Sequence, residues 1–343
     1  MTSRPISSLR GAICPACGWE GDAAVGAVLQ GYLILGCPKC YLQFADPMRG
    51  ADTEFYDLDY EQRPPSLADT VRVRYTARYR LAFRLLGKGN GRRLLDVGCG
   101  MGGFAAEAYA RGFESFGIEQ SQSAIRHCTT HLGLPTSRFY HGSWETIPHD
   151  WGGFDVVTAF EVLEHLATPH DFVARCFGLL KVGGVLVLSV PDASRIQVRL
   201  GQRNPGDYPP KHLTRWTPTA VAELLSRVGF ETATISRSPL EATPLASAAY
   251  RILAGRFRGG LPETQAPRTT AANGSPHSTE NAQPRRGWRL LRILARSGLS
   301  KSLGGGLHWV ANLLFWQGRT ITAKIGLYGD SLVCVARRPH DGQ

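Results

Sequence analysis

Between Arg92 and Arg237 short apolar runs alternate with stretches whose apolar residues recur at helical spacing. That alternation predicts βαβ units around a mainly parallel sheet. Strands are expected at Arg93–Val97, Ser115–Ile118, Arg138–His141, Phe154–Ala159, Val185–Val190 and Glu231–Ile235, with a helix at Phe104–Arg111. An arginine-rich amphipathic helix is expected ahead of them, over Leu67–Gly87, and a closing strand at Leu332–Ala336. About 95 residues separate the sixth strand from the closing one. They hold two helix-like stretches, Trp288–Ser297 and Leu307–Gln317. Residues 262–286, rich in Pro, Thr, Ser, Asn and Gln, read as a flexible loop. Residues 1–50 show little helical pattern. The chain therefore divides into 1–50, a helical lead-in over 51–91, an α/β core over 92–237 plus 330–338, and an insertion over 238–329. No internal repeat is visible.

Composition narrows this picture in two ways. A hydrophobic share of 43% against 20% charged residues fits a globular chain. The N-terminal residues lack the apolar run of a secretory signal, so a cytoplasmic protein with reduced thiols is expected. Four of the eight cysteines then stand out. Cys14-Pro-Ala-Cys17 and Cys37-Pro-Lys-Cys40 are two C-x2-C pairs separated by 19 residues, the spacing of a zinc ribbon closed by four thiolates. Such a site leaves no open coordination position, so its zinc is expected to be structural. Cys99, Cys128, Cys176 and Cys334 stand in apolar surroundings and read as packing residues.

The strongest chemical signal follows the first core strand. Asp96-Val97-Gly98-Cys99-Gly100-Met101-Gly102-Gly103 runs off the strand into a helix. Glycines 98, 100 and 103 fit G-x-G-x-x-G, a motif also used for dinucleotides. Asp96, however, immediately precedes the turn and would repel a pyrophosphate, whereas it can face an ammonium group. Glu119, 23 residues on, ends the second strand where a carboxylate can bond both hydroxyls of a ribose. Phe154–Leu166 then supplies a fourth strand with its loop, and Leu179–Pro191 a helix end, a Gly-Gly turn and a fifth strand.

Taken in order, Leu94 to Pro191 resembles the class I S-adenosylmethionine-dependent methyltransferases. The resemblance implies a doubly wound, seven-stranded Rossmann-like sheet, with the small ribbon in front and the helical insertion before the last strand. It also implies that S-adenosylmethionine sits over Asp96, Gly98, Cys99, Gly100, Glu119 and Gln120, with Phe160 near the methyl donor. Ser143 and Trp144 fall where such enzymes cover the adenine, although the aspartate usual near Ser143 is missing. More loosely, the ribbon followed by Phe44-Ala45-Asp46-Pro47 and Glu54-Phe55-Tyr56 resembles bacterial methyltransferases with an N-terminal zinc ribbon.

Glu161-Val162-Leu163-Glu164-His165 and His212 form a second candidate cluster. Were a helix to open after the fourth strand, Glu161 would share a face with Glu164 or His165. Similar E-x-x-E-H runs bind a catalytic metal in the small-RNA 2′-O-methyltransferases that this segment resembles. Two readings stand: Mg²⁺ or Mn²⁺ at Glu161, Glu164, His165 and His212, or no metal, with Glu161 at the cofactor's edge and His165 fixing the loop. Under either, His165 and His212 are the candidate general bases.

Charge changes the picture at the other end. Of the net +11, residues 1–236 carry +1 and residues 237–343 carry +10. In the insertion, Arg285, Arg286, Arg289, Arg292, Arg296 and Lys301 interleave with Trp288 and aliphatic residues, and Leu307, Val310, Ala311 and Leu314 form a helical stripe beside Trp309, Phe315 and Trp316. A substrate lid and an in-plane contact with an anionic membrane both fit; nucleic acid fits less well, since a basic surface alone does not specify it. The expected activity is O-methylation of a small or lipid-linked acceptor, glycan or quinone-like, in the cytoplasm or on the inner face of its membrane. The alternative is an RNA or protein methyltransferase that grips a polymer.

Overall fold

In the computed structural model, which describes residues 8–51, 55, 76–148, 150–195, 198, 205–231, 233–239 and 329–340, the N-terminal segment forms an antiparallel sheet. Its strands are β1 (Ser8–Ile13), β2 (Glu20–Leu29), β3 (Tyr32–Gly36) and β4 (Gln43–Asp46). The β2–β3 hairpin turns at Gln30 and Gly31, both with positive φ (49° and 85°), as a tight two-residue connection demands.

The core strands are β5 (Arg93–Val97), β6 (Glu114–Glu119), β7 (Phe139–His141), β8 (Phe154–Phe160), β9 (Leu180–Pro191), β11 (Thr234–Arg237) and β12 (Ser331–Arg337). They lie in the order β11-β12-β9-β8-β5-β6-β7. β5 to β9 are parallel, and β12 runs antiparallel between β9 and β11. Strand β10 (Thr214–Arg215) leaves the core and pairs with β4, closing the order β1-β2-β3-β4-β10.

Buried central strands explain why the apolar runs are continuous rather than alternating. Period-two geometry sends neighbouring residues to opposite faces. Leu94, Val156, Val187 and Val333 join one cluster, with Phe83 and Leu86 of α1 (Ala77–Leu86) and Phe104 of α2 (Gly103–Ala110). Leu95, Val157, Leu188 and Leu332 join the other, against α4 (Pro169–Leu179) and α5 (Pro218–Val228). Helix α3 (Gln122–Thr130) packs Cys128 against Cys99, Ala105 and Phe139.

The expected strands are all present, with shifted ends. β9 begins at Leu180 rather than Val185, because Leu180 pairs with Phe154 before the Gly183-Gly184 turn resets the register. The sixth strand starts at Thr234 rather than Glu231. Of the lead-in helix, Ala77–Leu86 is described and residues 67–75 lie outside the described part. The insertion, with its two helix-like stretches and flexible loop, lies outside it over residues 240–328. Among the described residues no helix is long and apolar enough to cross a membrane.

Candidate functional site

At the carboxyl ends of β5, β6 and β8 the strand order reverses and leaves a cleft of about 890 Å³. Its floor is the glycine loop. The Gly98 N–H donates to the Ile118 carbonyl at 2.8 Å, which holds the loop onto β6. Gly98 has φ +72°, and a Cβ there would stand 2.6 Å from Val162 Cγ2, so only glycine fits. The Gly100 N–H donates to Glu119 Oε2 at 3.0 Å, and the Ser121 N–H to Oε1 at 3.1 Å. Glu119 is thus fixed by two backbone donors and keeps acceptor capacity for others.

Asp96 is buried and accepts a 2.7 Å hydrogen bond from Thr158 Oγ1. Burial pushes its carboxyl up to about 7, against the opposing Thr158 bond and with a further push from Glu119. A buried acid so poised gains most from a cation arriving beside it. Arg78 and Tyr79 of α1 form the near wall, and burial raises the Tyr79 phenol above its ordinary value. Tyr79 meets Phe160 edge-on at 4.9 Å, and Phe104 lies 4.5 Å from Phe160 between ring centres. The far wall is Ser143 with the short turn Trp144–Thr146, tied to β6 by Gly142 N–H donating to the Glu119 carbonyl at 2.9 Å.

No helix opens directly after β8, which corrects the premise that put Glu161 on a shared helical face. Glu161 takes φ +56° and its N–H returns to the Ser189 carbonyl at 3.0 Å. A single 3₁₀ turn, Leu163–His165, follows, and α4 waits for Pro169. The Glu161 carboxylate accepts from Ser189 Oγ at 2.8 Å. Glu164 is buried, and neither of its carboxylate oxygens has a hydrogen-bond partner; burial, then Glu161, raises its pKa well above the ordinary value.

His165 lines the cleft. Its Nδ1 lies 2.7 Å from the Lys211 carbonyl, which can only accept, so Nδ1 carries the proton and Nε2 the lone pair. Burial lowers its pKa. His212 stands edge-on at 4.6 Å between ring centres, does not line the cleft, and is brought down to about 3 by burial and then by His165. Both rings are neutral at pH 7. The candidate ligand atoms of Glu164, His165 and His212 lie within 4.8 Å of one another, and Glu161 is not among them.

Residues 70–235 match the family model for a methyltransferase domain. The chain is 35% identical over 142 residues to a ubiquinone biosynthesis O-methyltransferase of Roseobacter denitrificans, covering 39% of this chain and 52% of that one. To the enzyme of the same name from Caulobacter sp. it is 30% identical over 175 residues, covering 48% and 67%. This chain belongs to the S-adenosylmethionine-dependent methyltransferase family. It spans about half the length of the first of these relatives and two thirds of the second. A solved SAM-dependent methyltransferase of Archaeoglobus fulgidus is also similar, at 17% identity and TM-score 0.45 over 82% of this chain and 99% of that one.

Every residue expected around the cofactor lines this same cleft: Asp96, Gly98, Cys99, Gly100, Glu119, Gln120, Ser143, Trp144 and Phe160. Sequence reasoning missed Arg78, Tyr79, Gly50 and Ala51, which come from segments with no motif and reach the cleft only through the fold. The cysteine four also converge. Cys14 and Cys40 sulfurs are 3.6 Å apart, as are those of Cys17 and Cys37. A tetrahedral ion with Zn–S near 2.3 Å would space its sulfurs by about 3.8 Å, so the donor set fits. The hydrogen bond from Cys40 pulls the Cys14 thiol down to about 5, while Cys40 is pushed up. The two knuckles match: Gly18 N–H to the Cys14 carbonyl and Tyr41 N–H to the Cys37 carbonyl, each at 3.0 Å. Gly18 and Tyr41 both take positive φ, though only the glycine could be read as a turn signal.

Proposed function

We propose that this enzyme methylates a hydroxyl oxygen of a small, quinone-like acceptor, with His165 as general base. The observation that carries the reading is the His165 ring. Its Nδ1–H is committed to the Lys211 carbonyl at 2.7 Å, which leaves Nε2, 3.9 Å from Glu164 Oε1, as the nitrogen of this cleft-lining ring able to take a hydroxyl proton. The names of the relatives, ubiquinone biosynthesis O-methyltransferases, support the acceptor class. Bound S-adenosylmethionine supplies a methyl group already activated by a sulfonium charge, so positioning provides most of what catalysis remains. Asp96 receives the ammonium group, Arg78 offers its guanidinium to the carboxylate, Glu119 holds the ribose hydroxyls, and Trp144 with Ser143 covers the adenine. Phe160 and Tyr79 shape the wall beside the methyl group.

Purified full-length protein incubated with the cofactor and a panel of catechol and quinol headgroups tests this. An O-methyl product that falls about 10²-fold or more in His165→Gln, with cofactor binding retained, is expected. Transfer only to nitrogen, or to RNA or protein, would place the enzyme with the alternative acceptor class.

A second reading has one observation behind it, the buried Glu164 carboxylate, which has no hydrogen bond and stands 3.9 Å from His165 Nε2 beside His212. Those three groups fit a divalent cation such as Mg²⁺ or Mn²⁺ better than the four residues first considered. Activity that is abolished by a chelator and restored by Mg²⁺ alone would favour it. The cysteine four we read as a structural zinc site. Because metal binding supplies folding energy to so small a unit, metal analysis should find one tightly held zinc per chain. The membrane contact rests on the sequence of the insertion.

A further inference from the structure

Residues 208–217 form a strap gripped from two sides. Toward the core, the Lys211 carbonyl receives His165 Nδ1–H at 2.7 Å. Leu213 N–H donates to the Glu164 carbonyl at 2.8 Å, and Trp216 bridges to Asp192. Toward the cysteine unit, Ala45 N–H donates to the Leu213 carbonyl at 2.9 Å, and β10 pairs with β4, Thr214 opposite Phe44 and Arg215 opposite Gln43. Thr217 Oγ1 donates to the Cys40 carbonyl at 2.8 Å. The chain leaving β4 then lines the cleft itself. Ala51 N–H donates to the Pro210 carbonyl at 3.1 Å, and Gly50 lies so close to the His165 carbonyl that a Cβ would stand 3.2 Å from it.

The Lys211 carbonyl that selects the His165 tautomer therefore sits in a strap whose residues Thr214 and Arg215, three and four positions further on, pair edge to edge with the strand that leaves the second cysteine knuckle. The cofactor half is built differently. Asp96 and Glu119 accept from Thr158, Gly100 and Ser121, and Gly98 N–H donates to Ile118, all within the large sheet and its loops.

We propose that the cysteine unit is the positioning device for the acceptor half of the active site: four bound thiolates set β4, β4 sets the 208–217 strap, and the Lys211 carbonyl holds His165 as the Nδ1–H tautomer. Thr217 is the positioning residue that clasps strap to ribbon. The proposal rests on the readings of His165 as base and of the cysteine four as a metal site. It makes the ribbon more than an appendage, since losing its metal should disturb His165 and spare the cofactor.

Thr217 also caps α5, accepting from Ala220 N–H at 3.1 Å, so the variant must separate the two roles. Thr217→Asp keeps a good cap acceptor but has no proton for the Cys40 carbonyl. Thr217→Ser keeps both. In full-length protein labelled with ¹⁵N-histidine and loaded with zinc, the His165 ring shifts should report the Nδ1–H form. Thr217→Asp, still holding zinc, should shift the ring toward a tautomer mixture and lower the methyl-transfer rate by about tenfold. Cofactor affinity should stay within about twofold. Thr217→Ser should behave as wild type, and removing zinc from the wild-type chain should reproduce the ring shift. Unchanged His165 ring shifts after both perturbations, or a loss of cofactor affinity as large as the loss of rate, overturns the proposal. Failure of its foundations looks different: zinc absent from the purified protein defeats the metal reading, and wild-type activity in His165→Gln defeats the base.

Discussion

Asp96 is a buried acid of the cleft, and burial raises its carboxyl well above the ordinary range. Its folded pKa of about 7 lies above the ordinary 3.8, so the folded state binds more protons than the unfolded one across that interval. Its favourable share of stability is complete below pH 4 and is lost as pH rises through 7. Asp96→Asn should therefore gain on the wild type, by on the order of 2–3 kcal/mol, when cofactor-free protein is denatured at pH 8 rather than pH 5. Urea titrations at the two pH values check this; a pH-independent difference would mean the carboxyl is not held protonated. His165 makes the opposite kind of statement. Burial lowers its pKa below the ordinary 6.5, so the base stays deprotonated into mild acid. The acid limb of kcat/KM for the acceptor should have its midpoint below 6.5, and a midpoint above it would exclude His165 as the group titrating.

Among the elements, the turn from β5 into α2 bears the tightest constraint. Gly98→Ala drives a methyl group against Val162 and forces φ +72° on an L-residue. We expect a stability loss of about 1–3 kcal/mol and at least tenfold weaker cofactor binding, read by thermal melts and titration. Wild-type values for both would show that the loop has another conformation. This loop and the strands around it were legible because burial on both faces writes an apolar run, and a glycine turn must be written in glycine. Less was legible where position depends on tertiary contact. β9 starts early only because Leu180 finds Phe154. The 3₁₀ turn at Leu163–His165 replaces a helix because Glu161 is drawn back to Ser189. Arg78 and Tyr79 carry no local signature, and Tyr41 performs the turn that Gly18 announces in the first knuckle.

At the scale of the molecule, two sheets share a strap rather than a flexible linker, since β10 leaves the core to close the sheet of the cysteine unit. The remaining mass, the insertion between β11 and β12, holds most of the excess charge: residues 237–343 carry +10. Read as a membrane contact, it should bring the enzyme to anionic vesicles with up to about 1 kcal/mol per basic side chain near the surface, weakening with salt. Arg289→Glu with Arg292→Glu should remove the salt-sensitive share, and Trp309→Ala with Phe315→Ala the rest. Wild-type protein left in the supernatant at low salt would reduce the insertion to a lid. One cleft would hold one cofactor through two buried acids, Asp96 and Glu119. Calorimetric titration of the full chain with S-adenosylmethionine checks this. Saturable binding at one site, weakened about tenfold or more in Asp96→Ala and in Glu119→Ala, is the expected result; undiminished binding in both variants, or binding of NADH in place of S-adenosylmethionine, would contradict it.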